Sequence, residues 1–126
     1  MSTNYYILTK DKSIIERYGL TYELTDEPDW GYWVHIVQLY SDYVPLFQAH
    51  KNVSSLPTVF SLLQEPNVTV YNEYRKEVDG TQFCDTLRTI CNDDSRKTRT
   101  WNIPNDNYLH YFKDAYGNEF LEGDFM

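Results

Sequence analysis

The run Tyr32-Trp33-Val34-His35-Ile36-Val37-Gln38-Leu39-Tyr40 constrains the fold of this chain more than any other segment. Its residues are mostly β-branched or aromatic, which suits a pleated strand and disfavours a helix. Simple alternation puts Tyr32, Val34 and Ile36 on one face and Trp33, His35, Val37 and Leu39 on the other. Both faces are largely apolar, so the strand belongs in the middle of a sheet with material packed on each side.

The remaining elements arrange themselves around that strand. Tyr5 to Thr9 reads as a first strand, and Ser13 to Tyr18 as a short helical turn stopped by Gly19. Leu20, Tyr22 and Leu24 alternate with polar residues, which predicts a second, half-buried strand. Asp26, Glu27, Pro28 and Asp29 mark a loop, and Ser41-Asp42 a turn. Tyr43 to Gln48 reads as a returning strand, and Pro45, which has no N–H to donate, predicts an edge position or a bulge. A helix begins near Ser54-Ser55-Leu56-Pro57, where Ser can cap and Pro fits the first turn, and it ends at Pro66. Leu56, Val59, Phe60 and Leu63 supply its apolar stripe. Val68 to Tyr71 is a strand. A second helix, capped by Asp79 or Thr81, carries Phe83, Leu87, Ile90 and Cys91. Trp101 to Asn107 reads as loop. Tyr108 to Lys113 and Glu119 to Phe125 form a hairpin around Asp114-Ala115-Tyr116-Gly117-Asn118. The expectation is a single α+β domain over residues 1–126, a mainly antiparallel sheet with two short helices packed on it.

Charge and composition narrow the function classes. A chain of 126 residues with 41% apolar residues can build one core without a disulfide or a metal. Its net charge of −8 repels nucleic-acid phosphate and favours a basic partner. Arg96, Lys97 and Arg99 are its one basic cluster, too few for a nucleic-acid footprint. Cys84 and Cys91 lie seven positions apart on the second helix, which separates their Cα atoms by about 10 Å, beyond disulfide reach. Free thiols suit a reducing compartment. The start lacks the pattern of a signal peptide and no run suits a membrane span, so the expected location is cytoplasmic.

Several segments carry a family resemblance: Asn4-Tyr5-Tyr6, Trp33-Val34-His35-Ile36, Leu46-Phe47-Gln48, Val70-Tyr71-Asn72-Glu73-Tyr74, Thr81-Gln82-Phe83, Asp114 to Phe120, and Gly123-Asp124-Phe125. In that order they resemble an uncharacterised family of small proteins from bacteriophages and bacterial genomes. The chain departs from the family pattern over Val37 to Tyr43. The resemblance implies an accessory protein of the phage type, at work in the host cytoplasm, and implies no activity.

No residue pattern points to a reaction. His35, His50 and His110 match no zinc spacing and no paired-histidine phosphoesterase motif, and they read as ordinary strand histidines with satisfied hydrogen bonds. The five glycines are scattered and form no phosphate cradle, and no cofactor or metal is implied. The acidic residues say more. Glu23, Asp26, Glu27 and Asp29 gather around Trp30 before the central strand. Asp114, Glu119, Glu122 and Asp124 gather with Tyr108 and Tyr116 in the C-terminal hairpin. Carboxylates interleaved with aromatics suit a partner-binding surface, with rings as anchors and charge for steering. The plainer reading is a solvated acidic face over core tyrosines.

Three readings stay open. The first is a non-enzymatic protein that binds a basic host protein, such as a nuclease of a defence system, without contacting nucleic acid or membrane. The second is a small enzyme or ligand-binding domain for a nucleotide-like molecule, using His35 or His110 with a carboxylate. The third is a self-associating structural protein, a homodimer paired through the edge at Tyr43 to Gln48.

Overall fold

The computed structural model describes residues 2–98 and 110–123, apart from the His110 side chain. The expectations for Arg99, for Trp101 to Asn107, and for Tyr108 and Asp124 lie outside the described residues. The described chain is an α+β domain. The order is β1 (Ser2–Thr9), α1 (Lys12–Tyr18), β2 (Glu23–Thr25), β3 (Gly31–Tyr40), β4 (Leu46–Gln48), α2 (Leu56–Leu63), β5 (Val68–Asn72), β6 (Glu77–Val78), α3 (Gly80–Cys91), β7 (His110–Lys113) and β8 (Glu119–Glu122).

One sheet runs in the order β6-β5-β1-β3-β4-β8-β7, with β2 attached to β3. All pairs are antiparallel except β4 with β8. As its two apolar faces predict, β3 lies inside the sheet. The simple alternation fails halfway along it, however. Tyr5 pairs with Val37 but Tyr6 pairs with His35, so Ile36 is an extra residue in the ladder, a β-bulge. The bulge shifts the parity: Val34, Ile36 and Val37 all join one core, and Leu39 packs against it. Trp33 belongs to a second cluster on the other face.

The larger core fills the space between the sheet and the helices. Ile7, Val34, Phe47, Val70 and Phe120 come from strands; Ile14, Val59, Leu62, Phe83 and Leu87 come from helices. Each such side chain, fully removed from water, contributes about 1.5–3 kcal/mol. Helix α1 is a full helix where the sequence suggested a turn. Asp11 Oδ1 accepts the Ser13 N–H at 2.9 Å at its start. Gly19, at φ +59°, ends it in the left-handed region, which lets the Leu20 N–H reach the Ile15 carbonyl at 3.0 Å. The protein therefore has three described helices, not two.

Three strand expectations need correction. The half-buried strand of Leu20, Tyr22 and Leu24 does not exist as such: β2 starts at Glu23, and both Tyr22 and Leu24 are exposed. It flanks only three residues of β3, and Glu23 and Leu24 stay exposed. Pro45 does not put β4 at an edge, because it precedes the first paired residue and no ladder bond is lost. Strand β4 lies between β3 and β8, which removes the edge invoked for self-pairing at Tyr43 to Gln48.

The C-terminal hairpin is tied to α2 by a carboxylate. Ser55 occupies the cap position, but its hydroxyl bonds to Thr58 Oγ1 at 2.9 Å. The free Leu56 N–H instead donates to Asp114 Oδ2 at 2.8 Å, while Asp114 Oδ1 accepts the Tyr116 and Asn118 N–H groups at 2.9 Å. Asp114 caps a helix and a turn at once. Asp114→Ala is expected to lower the unfolding free energy by about 1–3 kcal/mol. Tyr116→Ala, at an exposed turn, should stay within about 0.5 kcal/mol of the parent. Urea denaturation of both variants checks this, and a neutral Asp114→Ala contradicts the capping role.

Candidate functional site

On one side of β3, β2 pairs with residues 31–33 and β4 with residues 37–38. Between them the β3 edge has no strand partner among the described residues. His50 takes that place. Its Nε2–H donates to the His35 carbonyl at 2.9 Å, and its Nδ1 accepts the Thr21 N–H at 3.1 Å. One imidazole thus bridges β3 and the segment leading into β2. The backbone of His50 is fixed in turn, exchanging two 3.0 Å hydrogen bonds with Val53.

This bridge fixes the proton. Thr21 can only donate, so Nδ1 must be unprotonated and the ring neutral. Burial pushes the His50 pKa down to about 4. His35, also buried, lies beside it on the opposite side of the strand from the helices. Its Nδ1 meets Gln48 Oε1 at 3.0 Å and its Nε2 meets Asn4 Oδ1 at 2.9 Å. Gln48 Nε2 is committed to the Leu121 and Gly123 carbonyls, so its oxygen must take the His35 Nδ1–H.

A cleft of about 120 Å³ opens over these groups, lined by Glu23, Trp33, His35, Gln48, His50 and Gly123 among others. The ligand-binding reading requires His35 or His110 with a carboxylate: His35 and Glu23 do share this cleft, with His50 beside them, while the His110 side chain lies outside the described residues. The ring nitrogens of His35 and His50 are already engaged by protein groups, however. The volume holds roughly four waters and falls below the roughly 300–1,000 Å³ of typical small-molecule sites. Burial raises both cysteine thiols, Cys91 to about 11, which disfavours the thiolate form. Among the described residues no group of three or more His, Cys, Asp or Glu could hold a metal ion. No described helix is long and apolar enough to cross a membrane.

The acidic residues separate into two sets. Glu23, Asp26, Glu27, Asp29 and Trp30 are all exposed and share the rim formed by β2 and the loop after it. The rim is firmly held. Arg75 donates to Thr25 Oγ1 at 2.9 Å and to the Glu27 carbonyl, and its guanidinium lies 4.8 Å from the centre of the Trp33 ring. Lys10 pairs with Asp29 at 2.7 Å; its hydrogen bond, with the Trp30 N–H, holds the Asp29 carboxyl below the usual range. The described hairpin residues, Asp114, Tyr116, Glu119 and Glu122, do not make a comparable surface. Asp114 is the cap described above. Glu119 is completely buried, accepting the Tyr111 hydroxyl at 2.9 Å. Glu119 therefore has to be withdrawn from the partner-binding set: its neighbours Leu46 and Lys113 flank it in the sheet. Glu122 and Tyr116 are exposed, the latter beside Leu56, Pro57 and Phe60 and away from the rim.

The histidine bridge and the Arg75 clasp were missed by sequence reasoning. Neither partner pair shares a local motif: Thr21 and His50, and Arg75 and Trp33, are distant in the chain. Comparisons with protein-family models, curated proteins and solved structures find no match for this chain.

The bridge has a pH consequence. The folded-state pKa of His50 lies below its ordinary value of 6.5, at about 4. The unfolded chain therefore binds the proton first, and stability falls as pH drops from about 6.5 to about 4, by about 3 kcal/mol in all. His50→Gln, which keeps an N–H donor for the His35 carbonyl, is expected to flatten that segment of the profile. Urea denaturation of both proteins at intervals across this range checks it. Parallel profiles contradict the neutral bridge.

Proposed function

We propose that this chain is a non-enzymatic accessory protein of the phage type that binds a basic surface on a host protein through the β2 rim. A nucleic-acid-processing enzyme of a defence system is the class of partner whose groove suits this charge. One observation carries the reading: Tyr22, Leu24 and Trp30 are 45%, 65% and 49% exposed, set among carboxylates on a clamped rim. Exposed large apolar groups that cluster, rather than scatter, mark interaction surfaces. The Arg75 and Lys10 contacts reduce the ordering cost of binding there. Glu23, Asp26 and Glu27 form no ion pair among the described residues and supply steering toward positive charge. The resemblance to small phage proteins fits a binding role.

A second reading, capture of a small polar group in the cleft, is favoured by the convergence of His35 and His50. It explains neither the exposed trio nor the charge.

The test is affinity capture from bacterial lysate at low and high salt, with wild type and with a Leu24→Ala, Trp30→Ala double variant. Both side chains are exposed, so the fold should survive. The expected result is a defined partner that elutes as salt rises and binds the variant at least about tenfold more weakly. A partner held equally by both proteins, or no specific partner at either salt, overturns the reading.

A further inference from the structure

We infer that the outer edge of β2 accepts an extended, basic segment of the partner protein as an added strand, its side chains alternating between apolar and cationic. The inference rests on the protein-binding reading above and gives it a mode. Strand β2 pairs with β3 on one side, and among the described residues no backbone hydrogen bond reaches it from another strand. A strand exposes its unpaired N–H and C=O groups at such an edge, ready to template another chain.

The two faces of β2 differ in chemistry. Leu24 pairs with Tyr32, so their side chains share a face, and Tyr22 falls on that face two residues earlier. The Tyr22 ring meets Tyr32 edge-on at 4.9 Å, and Trp30 lies 6.0 Å from Tyr32. This apolar strip continues the helix-covered face of the sheet, since Tyr32 packs against the main core. On the other face Glu23 pairs with Trp33 and borders the cleft. A strand laid beside β2 would therefore set one row of side chains against Tyr22 and Leu24 and the other row against Glu23. The first row is best filled by apolar groups and the second by Lys or Arg.

Charge selects this occupant over a second copy of the chain. Two β2 edges pairing with each other would bring Glu23, Asp26 and Glu27 of both copies together, and like charges across a strand pair are destabilising. The same carboxylates attract a basic segment.

The probe is an amidated peptide of about nine residues alternating Lys and Val, long enough to cover a short strand. Its controls are a peptide of identical composition with Lys and Val in separate blocks, and the alternating peptide N-methylated on every second residue. Binding is measured by calorimetry at low salt. The alternating peptide is expected to bind at least about tenfold more tightly than either control and than it binds Leu24→Lys or Glu23→Lys. Equal binding of the block peptide reduces the effect to charge, and equal binding of a methylated peptide excludes strand addition; either overturns the inference. Failure of the alternating peptide to bind, with lysate capture intact, overturns the inference and leaves the protein-binding reading standing. Failure of both removes both. A dimer that forms through β2, detected by sedimentation and lost in Leu24→Lys, assigns the edge to a second copy and also overturns it.

Discussion

The pairing of β1 with β3, and the single extra residue that interrupts it at Ile36, governs the rest of this molecule. Below the bulge, Val34 faces the helices and Trp33 and His35 face away; above it, Val37 and Leu39 face the helices. The bulge therefore lets one strand feed apolar groups almost continuously into the main core while still presenting an aromatic and an imidazole to the opposite side. Tyr5 and Tyr6 read the same parity on β1. Tyr5 packs on Phe83 of α3 at 4.6 Å, and Tyr6 stacks on Trp33 at 4.8 Å.

The outer edge of β3 shows how the sheet passes from core to surface. Strand pairing is complete at β4, is replaced by the His50 imidazole at the His35 carbonyl, and resumes in the three residues of β2. A side chain can stand in for a strand here because it donates and accepts at once, which only the neutral ring does. The substitution leaves a small cleft where backbone would otherwise lie, and it holds β2 outside the helix layer. Tyr22 and Leu24 stay exposed there: β2 is part of the sheet, but among the described residues no helix packs on it. Function is proposed at that rim because attachment and exposure coincide there.

Much of the fold was legible in the sequence. The β3 run, the Gly19 stop and the Asp114–Asn118 turn rest on local chemistry and are where that chemistry puts them, and of the two cap candidates, Asp79 and Thr81, the helix uses Asp79. The failures come from non-local choices. A strand whose two faces are both largely apolar gives no sign of where a bulge falls, so the faces of Val37 and Leu39 are inverted in the simple alternation. Pro45 marks a residue that cannot donate, but not which side of it the ladder begins. Glu119 reads as a surface carboxylate in a hairpin, yet Tyr111 satisfies it inside the protein. Asp114 looked like a partner contact and proved to be a cap for a distant helix. Of the acidic residues, the cluster from Glu23 to Asp29 was legible as a surface because its Pro and Asp content already excluded it from the core.

The most direct measurement is residue-resolved NMR of the isotope-labelled protein, titrated with the partner captured from lysate. The account predicts that shift changes concentrate on Tyr22 to Tyr32, with smaller changes at the cleft through Trp33, and little response at Asp114 to Glu122. Changes centred on the β7–β8 hairpin, with residues 22–32 unmoved, would contradict it.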